Sequence, residues 1–470
     1  MTEKSYNKIS KSILKEILLL FGKENVFTDK ESLIIYGHDE TENLSYPPEI
    51  LVKPKDADQV SKIMKLAFEN SIPVTPIGAR TGLSGGSLCV HGGIGLSMEK
   101  FNKILKIDHD NLQVIVQPGV ITQNLQDEVA QKGLYYAPDP ASKGSCFIGG
   151  NIAENSGGPR AVKYGVTKDF VLNLEVVLPN GDIINTGANT LKNSTGYNLT
   201  QLMVGSEGTL GVITKATLKL IPLPKFNKLI LVSFKSAVDA CAAVASVFKA
   251  GVVPSAMEFM DRKAVDFTIK YIEEANLEMS DDTNALLLIE VDGNNPEYLM
   301  DELQKVLDVV TSHNCDDNIL FAEDEAQKDQ LWFIRRRIGE AVKVNSIYKE
   351  EDTVVPRYRL PDLLSGVKKI GKKYGFESIC YGHAGDGNLH VNIIKGNLTD
   401  LQWEEELSKA IREIFTLTVS LGGTISGEHG IGWVQKDYMD IAFKEMELNL
   451  MRNIKKVFDP KNIMNPSKIF

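Results

Sequence analysis

The chain has 470 residues, 43% hydrophobic and 24% charged, which gives a soluble globular protein room for two or three cores and leaves no sign of disorder. Its formal net charge of −10, with no basic run interleaved with aromatics, excludes nucleic acid as a partner and leaves anion binding to local backbone groups. Cys89, Cys146, Cys241, Cys315 and Cys380 contain no C-x-x-C pair. A disulfide framework, an iron–sulfur cluster and a zinc–thiolate site are thereby excluded, and a cytoplasmic location is expected.

Along the chain, Ile9, Ile13, Ile17 and Leu20 recur with lysines between them, which predicts an amphipathic helix capped near Gly22 rather than a signal peptide. No run approaches the roughly 18 apolar residues of a membrane span. EILVKP (49–54) reads as a strand, 56–71 as a helix with Asp56 or Asp58 near its start, and IPVTPIG (72–78) as a second strand, making a β-α-β unit. Three glycine loops follow: GARTGLSGG (78–86), IGGNIAENSGG (148–158) and VGSEGTLGVI (204–213). Consecutive exposed N–H groups in such loops can cradle phosphates or a flat ring. Neither G-x-G-x-x-G opening a helix nor G-x-x-x-x-G-K-[ST] occurs, so an ordinary Rossmann NAD site and an ATPase are excluded.

Pro222 and Pro224 mark a domain boundary. Beyond them, strands at 229–234 and 284–291 alternate with helices at 239–251, 296–310 and 325–343, the rhythm of an α+β domain with helices on one face of an antiparallel sheet. The expected division is therefore 1–222, 223–440, and a segment 441–470 that returns over the first domain.

Late in the second domain stands YGHAGDGNLHVN (381–392). A two-residue type I′ turn at Asp386-Gly387 would set His383 directly opposite His390, roughly 5 Å apart at Cβ. A cross-strand pair that merely packs satisfies the same spacing. SGEHGIG (426–432) adds Glu428 and His429 between glycines. Two histidines and a carboxylate form a three-ligand set suited to zinc, iron or manganese, and the remaining histidine would be free to act as a general base.

With these pieces in order, the chain resembles the FAD-linked D-2-hydroxyacid dehydrogenases of the vanillyl-alcohol-oxidase fold, a group of glycolate oxidase D-type subunits, D-lactate dehydrogenases and D-2-hydroxyglutarate dehydrogenases. The likeness covers about residues 30–470. It rests on PIGARTGLSGGSL, PDPASKGSCFIGGNIAENSGGPRAVKYGVTKDFVLNLEVVLPNG, LMVGSEGTLGVIT, YGHAGDGNLHVN, SGEHGIG and NPSKIF. It implies a two-part FAD-binding domain and an α+β cap that carries the substrate site. By the resemblance, Pro76, Gly78, Ala79, Arg80, Thr81, Gly82, Leu83 and Ser84 meet the pyrophosphate of a non-covalently held FAD. Pro138, Asp139, Ser142, Gly149, Gly150, Asn151, Asn155 and Gly157 lie near its flavin, Glu207, Gly208, Val212 and Ile213 on the adenosine side, and Asn465 in the tail. Relatives often have a small residue at the place of Arg80, so this arginine either adds a charged contact or turns to solvent.

The resemblance also gives the cap its chemistry. His383, His390 and Glu428 are expected to hold a divalent metal, His429 to be the base, Arg335 to pair with the substrate carboxylate, and Asn392 to help hold the substrate. Without it, Arg335, Arg336 and Arg337 read equally well as a solvated or ion-paired helix face. The expected reaction is oxidation of a D-2-hydroxy acid to the 2-oxo acid with hydride passing to flavin N5. Acidic residues Glu350 and Glu351 favour a monocarboxylate, D-lactate or glycolate, although Lys349 leaves D-2-hydroxyglutarate open as an alternative. Electrons are expected to leave for a separate carrier: quinone, cytochrome, iron–sulfur subunit or electron-transfer flavoprotein. The chain would then work as an oligomer or in a multi-subunit complex, with membrane association only through partners. The rival readings are a non-catalytic FAD-binding electron-transfer subunit and an oxidase with covalent FAD.

Overall fold

Helix Lys11–Phe21 starts where the Ser10 side chain accepts the Ile13 N–H and stops at Gly22; of the predicted apolar face Ile17 is buried and Ile9, Ile13 and Leu20 pack partly buried against the same core, which Phe21 joins. The computed structural model describes residues 6–317 and 319–470. Helix Ala57–Asn70 settles the choice between two aspartates: Asp56 is the cap, accepting the Gln59 N–H at 2.8 Å.

One unit comprises Met1–Ser156, Gly165–Leu223 and Glu428–Phe470. Its first sheet runs in the order Val26–Phe27, Ile50–Val52, Ile94–Ser97, Val74–Ile77, the last three parallel. The two strands of the expected β-α-β unit are thus parallel but separated by Ile94–Ser97. The tail completes this sheet's edge: Val74 donates its N–H to Ile463 O, and Asn465 donates to Val74 O, each at 2.8 Å. Ile463 and Met464 join a core with Ile17, Ile63, Val74 and Leu96. A second, antiparallel sheet orders Ile104–Asp108, Gln113–Val116, Val212–Lys219, Val171–Val177 and Ile183–Asn185.

The other unit comprises Gly157–Tyr164 and Pro224–Gly427. The short first segment is fastened by Arg160, which donates to both oxygens of Glu290 at 2.6 and 3.0 Å, and by Lys163, 2.7 Å from Asp292. Where the sequence reading placed the return to the first domain at 441, that unit resumes at Glu428. Seven strands pair antiparallel in the order Leu320–Phe321, Phe226–Phe234, Ala285–Gly293, Ala256–Asp261, Glu377–Gly382, Asn388–Ile394, Tyr348–Val354.

The expectation of helices on one face is corrected. Leu229, Leu231, Leu286 and Leu288 pack with helices Arg262–Tyr271 and Glu325–Asn345. The alternate residues Ile230, Val232, Leu287 and Ile289 point to the opposite face and are equally buried, and helices Ala237–Lys249 and Pro296–Ser312 also pack on these strands. A run such as ALLLIEV, with no polar residue until Glu290, is what covering both faces demands. All five cysteines are free. Among the described residues no helix is long and apolar enough to cross a membrane.

Candidate active site

The first unit contains a cavity of about 240 Å³ where strand Val74–Ile77 runs into loop 78–86, beside helix Ile148–Glu154 and the start of strand Val212–Lys219. A Cβ on Gly82 or Gly150 would meet nothing within 4 Å, so the cavity space lies where their side chains would be. Gly149 and Gly208 are glycine for the opposite reason, since a Cβ there would come within 2.6 Å of Pro118 and 2.8 Å of Pro76. Walls of this kind bring backbone amides close to a flat or phosphorylated guest, and the residues present fit FAD.

Of the sequence candidates, Pro76, Gly78, Ala79, Arg80, Thr81, Gly82, Leu83, Ser142, Gly149, Gly150, Asn151, Glu207, Gly208, Val212 and Ile213 line this cavity, as do Glu428 and His429. The others are not in the lining. Ser84 O accepts the N–H groups of Trp433 and Val434, Pro138 O accepts from Gln126, and Asn155 caps Lys168 N. Asp139 is buried, Gly157 belongs to the other unit, and Asn465 donates from Nδ2 to Gly86 O and Glu207 O. The Arg80 guanidinium donates to Ile35 O and lies 4.4 Å from the Tyr36 ring centre, while the residue itself lines the cavity. Glu207 turns its carboxylate to backbone, accepting from Ile431 N and Gly432 N. Glu154 lines the cavity unforeseen.

The second unit holds the two histidines, but not through the expected turn. Ala384–Asp386 forms a 3₁₀ turn, and of the Asp-Gly pair Gly387 alone has a positive φ, 81°. The register consequently sets His390 opposite Tyr381, not opposite His383. Gly387 is required by close approach: a Cβ there would lie 1.9 Å from Val355 O. His383 nevertheless folds back beside His390, with ring centres 5.5 Å apart at an interplanar angle of 83°.

Three elements converge on this pair. Glu258, in strand Ala256–Asp261 and 0% exposed, lies 2.9 and 3.0 Å from His383 Nδ1 and 2.6 Å from an Arg335 guanidinium nitrogen. A carboxylate can only accept, so Nδ1 of His383 carries a proton toward Glu258, and the neutral ring in that tautomer would offer its Nε2 lone pair to a metal. Burial works to raise the Glu258 pKa, but His383 and Arg335 outweigh it and hold this carboxyl below its ordinary value.

Arg335 is buried, with its Nε enclosed and unpartnered among the described residues, while Arg337 pairs with Glu340 at the surface. Tyr348–Val354 supplies Glu350, 3.4 Å from His390 Nδ1 and accepting from Tyr381 OH at 3.3 Å. Burial, then the Glu350 charge, pushes the Tyr381 hydroxyl well above its usual pKa, so it stays a proton donor. Asn392, wholly buried, shares the His390 face of its strand, as expected. Asp352 anchors the exit from the unit by accepting from Asn388, Ser426 and Gly427. Glu428 is the next residue.

Glu258 and Tyr381 escaped the sequence reading, and Glu350 entered it only as an acid disfavouring a second substrate carboxylate. The available signal for Glu258 was a lone acid between Met257 and Phe259 in an apolar strand, which must find a cation when buried.

Comparison with known proteins agrees with this architecture. Residues 48–187 match the FAD binding domain model, and residues 223–469 match the C-terminal domain of FAD linked oxidases. A D-lactate dehydrogenase of Anaerostipes hadrus is 36% identical over 100% of this chain and 99% of its own length. Glycolate oxidase subunit GlcD of Bacillus subtilis is 37% identical over 98% of this chain and 97% of its own. Among solved structures, p-cresol methylhydroxylase with substrate bound superposes with a TM-score of 0.80 at 18% identity, covering 99% of this chain and 98% of the other, which is a likeness of fold.

Proposed function

Because the chain belongs to the FAD-linked oxidases, and within them to the FAD-dependent hydroxyacid dehydrogenases typified by D-lactate dehydrogenase and glycolate oxidase, we propose that it oxidises a small D-2-hydroxy monocarboxylate, D-lactate or glycolate, to the 2-oxo acid. The observation that carries this reading is the Glu258 cluster, which joins a buried arginine with a free N–H to a histidine of fixed tautomer. Arg335 takes the substrate carboxylate, with Asn392 beside it. His429 removes the hydroxyl proton. FAD, bound along the glycine loops, supplies the hydride acceptor.

His383 and His390, with Glu428, would hold a divalent ion, zinc, iron or manganese, that supplies Lewis acidity toward the hydroxyl. With the Arg80 guanidinium held at Ile35 and Tyr36, the backbone amides of 78–82 are the groups that would receive the pyrophosphate. A non-covalent hold on FAD is supported by the cavity lining, where no cysteine stands among the described residues, and by the burial of Cys89 and Cys146.

The monocarboxylate preference is supported by the strand Tyr348–Val354. Glu350 adds a negative charge beside His390, while Lys349, the cation available for a distal carboxylate, alternates to the other face. With FAD held by the glycine loops, a separate carrier, cytoplasmic or membrane-associated, would be needed to take up the electrons within a multi-subunit assembly.

Anaerobic bleaching of the flavin spectrum tests the reading. D-Lactate or glycolate should bleach the flavin, and L-lactate should not. Faster bleaching by D-2-hydroxyglutarate than by either monocarboxylate would refute the substrate class.

A further inference from the structure

Gly430 sits between two acids of the first unit. At φ 78° it presents its backbone where an added Cβ would lie 2.0 Å from Glu154 Oε2 and 3.1 Å from Glu207 Oε1. Glu207 spends one oxygen on the N–H of Ile431, at 2.8 Å, and the other on that of Gly432, at 2.6 Å. Glu154 closes helix Ile148–Glu154, and its Oε2 is enclosed without a hydrogen-bond partner among the described residues. The cation at this corner, Lys468, is buried and gives its hydrogen bonds to Leu88 O and Asn465 Oδ1 rather than to either acid. Asp39 adds a further negative neighbour.

We propose that Glu154 carries a proton in the working protein and that, with the Glu207 carboxylate, it fixes segment 428–432 against the cavity wall, so that both acids are positioning residues for His429. The inference rests on the reading of His429 as the base.

Two carboxyls converging on one glycine in a desolvated corner cannot both ionise at ordinary cost. Glu207 has two N–H donors to stabilise its charge, and the enclosed Oε2 of Glu154 has none among the described residues, which decides where the proton resides. Burial, then Glu207 and Asp39, drive the Glu154 pKa well above its usual value. Burial raises that of Glu207 to about 7 against the pull of Ile431 and Gly432. For acids with raised values the sign is fixed. The order that protonated Glu154 lends the segment is present at lower pH and is lost as pH rises through the raised value of Glu154, well above its ordinary 4.5.

Hydrogen exchange at the Ile431 and Gly432 amides of the FAD-loaded protein, corrected for intrinsic rate, reads the clamp independently of turnover. Glu207→Gln should lower protection about tenfold or more, the loss of a charged acceptor. Glu154→Gln, a neutral isostere of the protonated acid, should keep protection and abolish its decline between about pH 6 and about pH 9. Wild-type pH dependence in Glu154→Gln, or wild-type protection in Glu207→Gln, overturns the proposal. His429→Asn separates the two readings. If it reduces flavin at the wild-type rate while the amide results hold, the base assignment fails and the clamp stands.

Discussion

Glu258 makes one carboxylate answerable to both an arginine and a histidine, and the two claims can be separated by substitution. Breaking a buried pair leaves an uncompensated charge, so Glu258→Ala should cost about 3–5 kcal/mol in urea denaturation. It should also lower metal affinity by roughly 10–100-fold in elemental analysis, as loss of a ligand's orienting partner does. Unchanged metal content would deny Glu258 any role in orienting His383. Arg335 and Arg337, two positions apart on one helix, make an internal control. Arg337→Ala removes an exposed pair with Glu340 and should cost less than about 1 kcal/mol with substrate affinity unchanged. Arg335→Ala should raise the substrate concentration for half-maximal flavin reduction on the order of 100-fold, the equivalent of about 3 kcal/mol. Equal effects from the two would return Arg335 to a purely structural role.

At the scale of elements, the turn between Glu377–Gly382 and Asn388–Ile394 places His383, and Gly387 is its fixed point. Gly387→Ala combines a positive φ with a Cβ that would meet Val355 O, so it should lower stability by about 1–3 kcal/mol or more in thermal melting and weaken metal retention with it. A neutral outcome would mean that the turn does not set the histidine site. The same turn shows what a sequence can convey. Asp-Gly correctly marked a reversal, but the approach of Val355, thirty-two residues upstream, widened it and moved the register from His383 to Tyr381.

The start of helix Ala57–Asn70 was legible to within a choice of Asp56 or Asp58 because the capped N–H lies three residues from its acceptor. The glycine loops were legible because they bend on themselves. Glu258 was not, since its meaning depends on His383, 125 residues further along the chain. Arg80 was ambiguous for the same reason, its partners being Ile35 and Tyr36.

For the whole molecule, the assignment of roles predicts separable losses. His383→Asn, His390→Asn or Glu428→Gln should lower bound metal and activity together. His429→Asn should keep metal and FAD yet slow stopped-flow flavin reduction by about 10²- to 10⁴-fold. Loss of metal in His429→Asn would collapse the distinction. Acid precipitation should release the yellow cofactor into the supernatant, and flavin retained in the pellet would establish a covalent link.

The edge contributed by Ile463–Asn465 has a consequence for how the chain comes to be folded. The bond from Asn465 to Gly86 O spans 379 residues, and all of the second unit lies between its ends. That unit is almost one unbroken stretch, Pro224–Gly427, and can form its sheet while it leaves the ribosome. The sheet holding Val74 must meanwhile wait with an open edge, exposed to pairing with other chains, until the segment that follows the second unit arrives. Ribosome-stalled chains ending near residue 440 should therefore resist protease across 224–427 and remain cleavable around the glycine loops, which become resistant only when 459–470 have emerged.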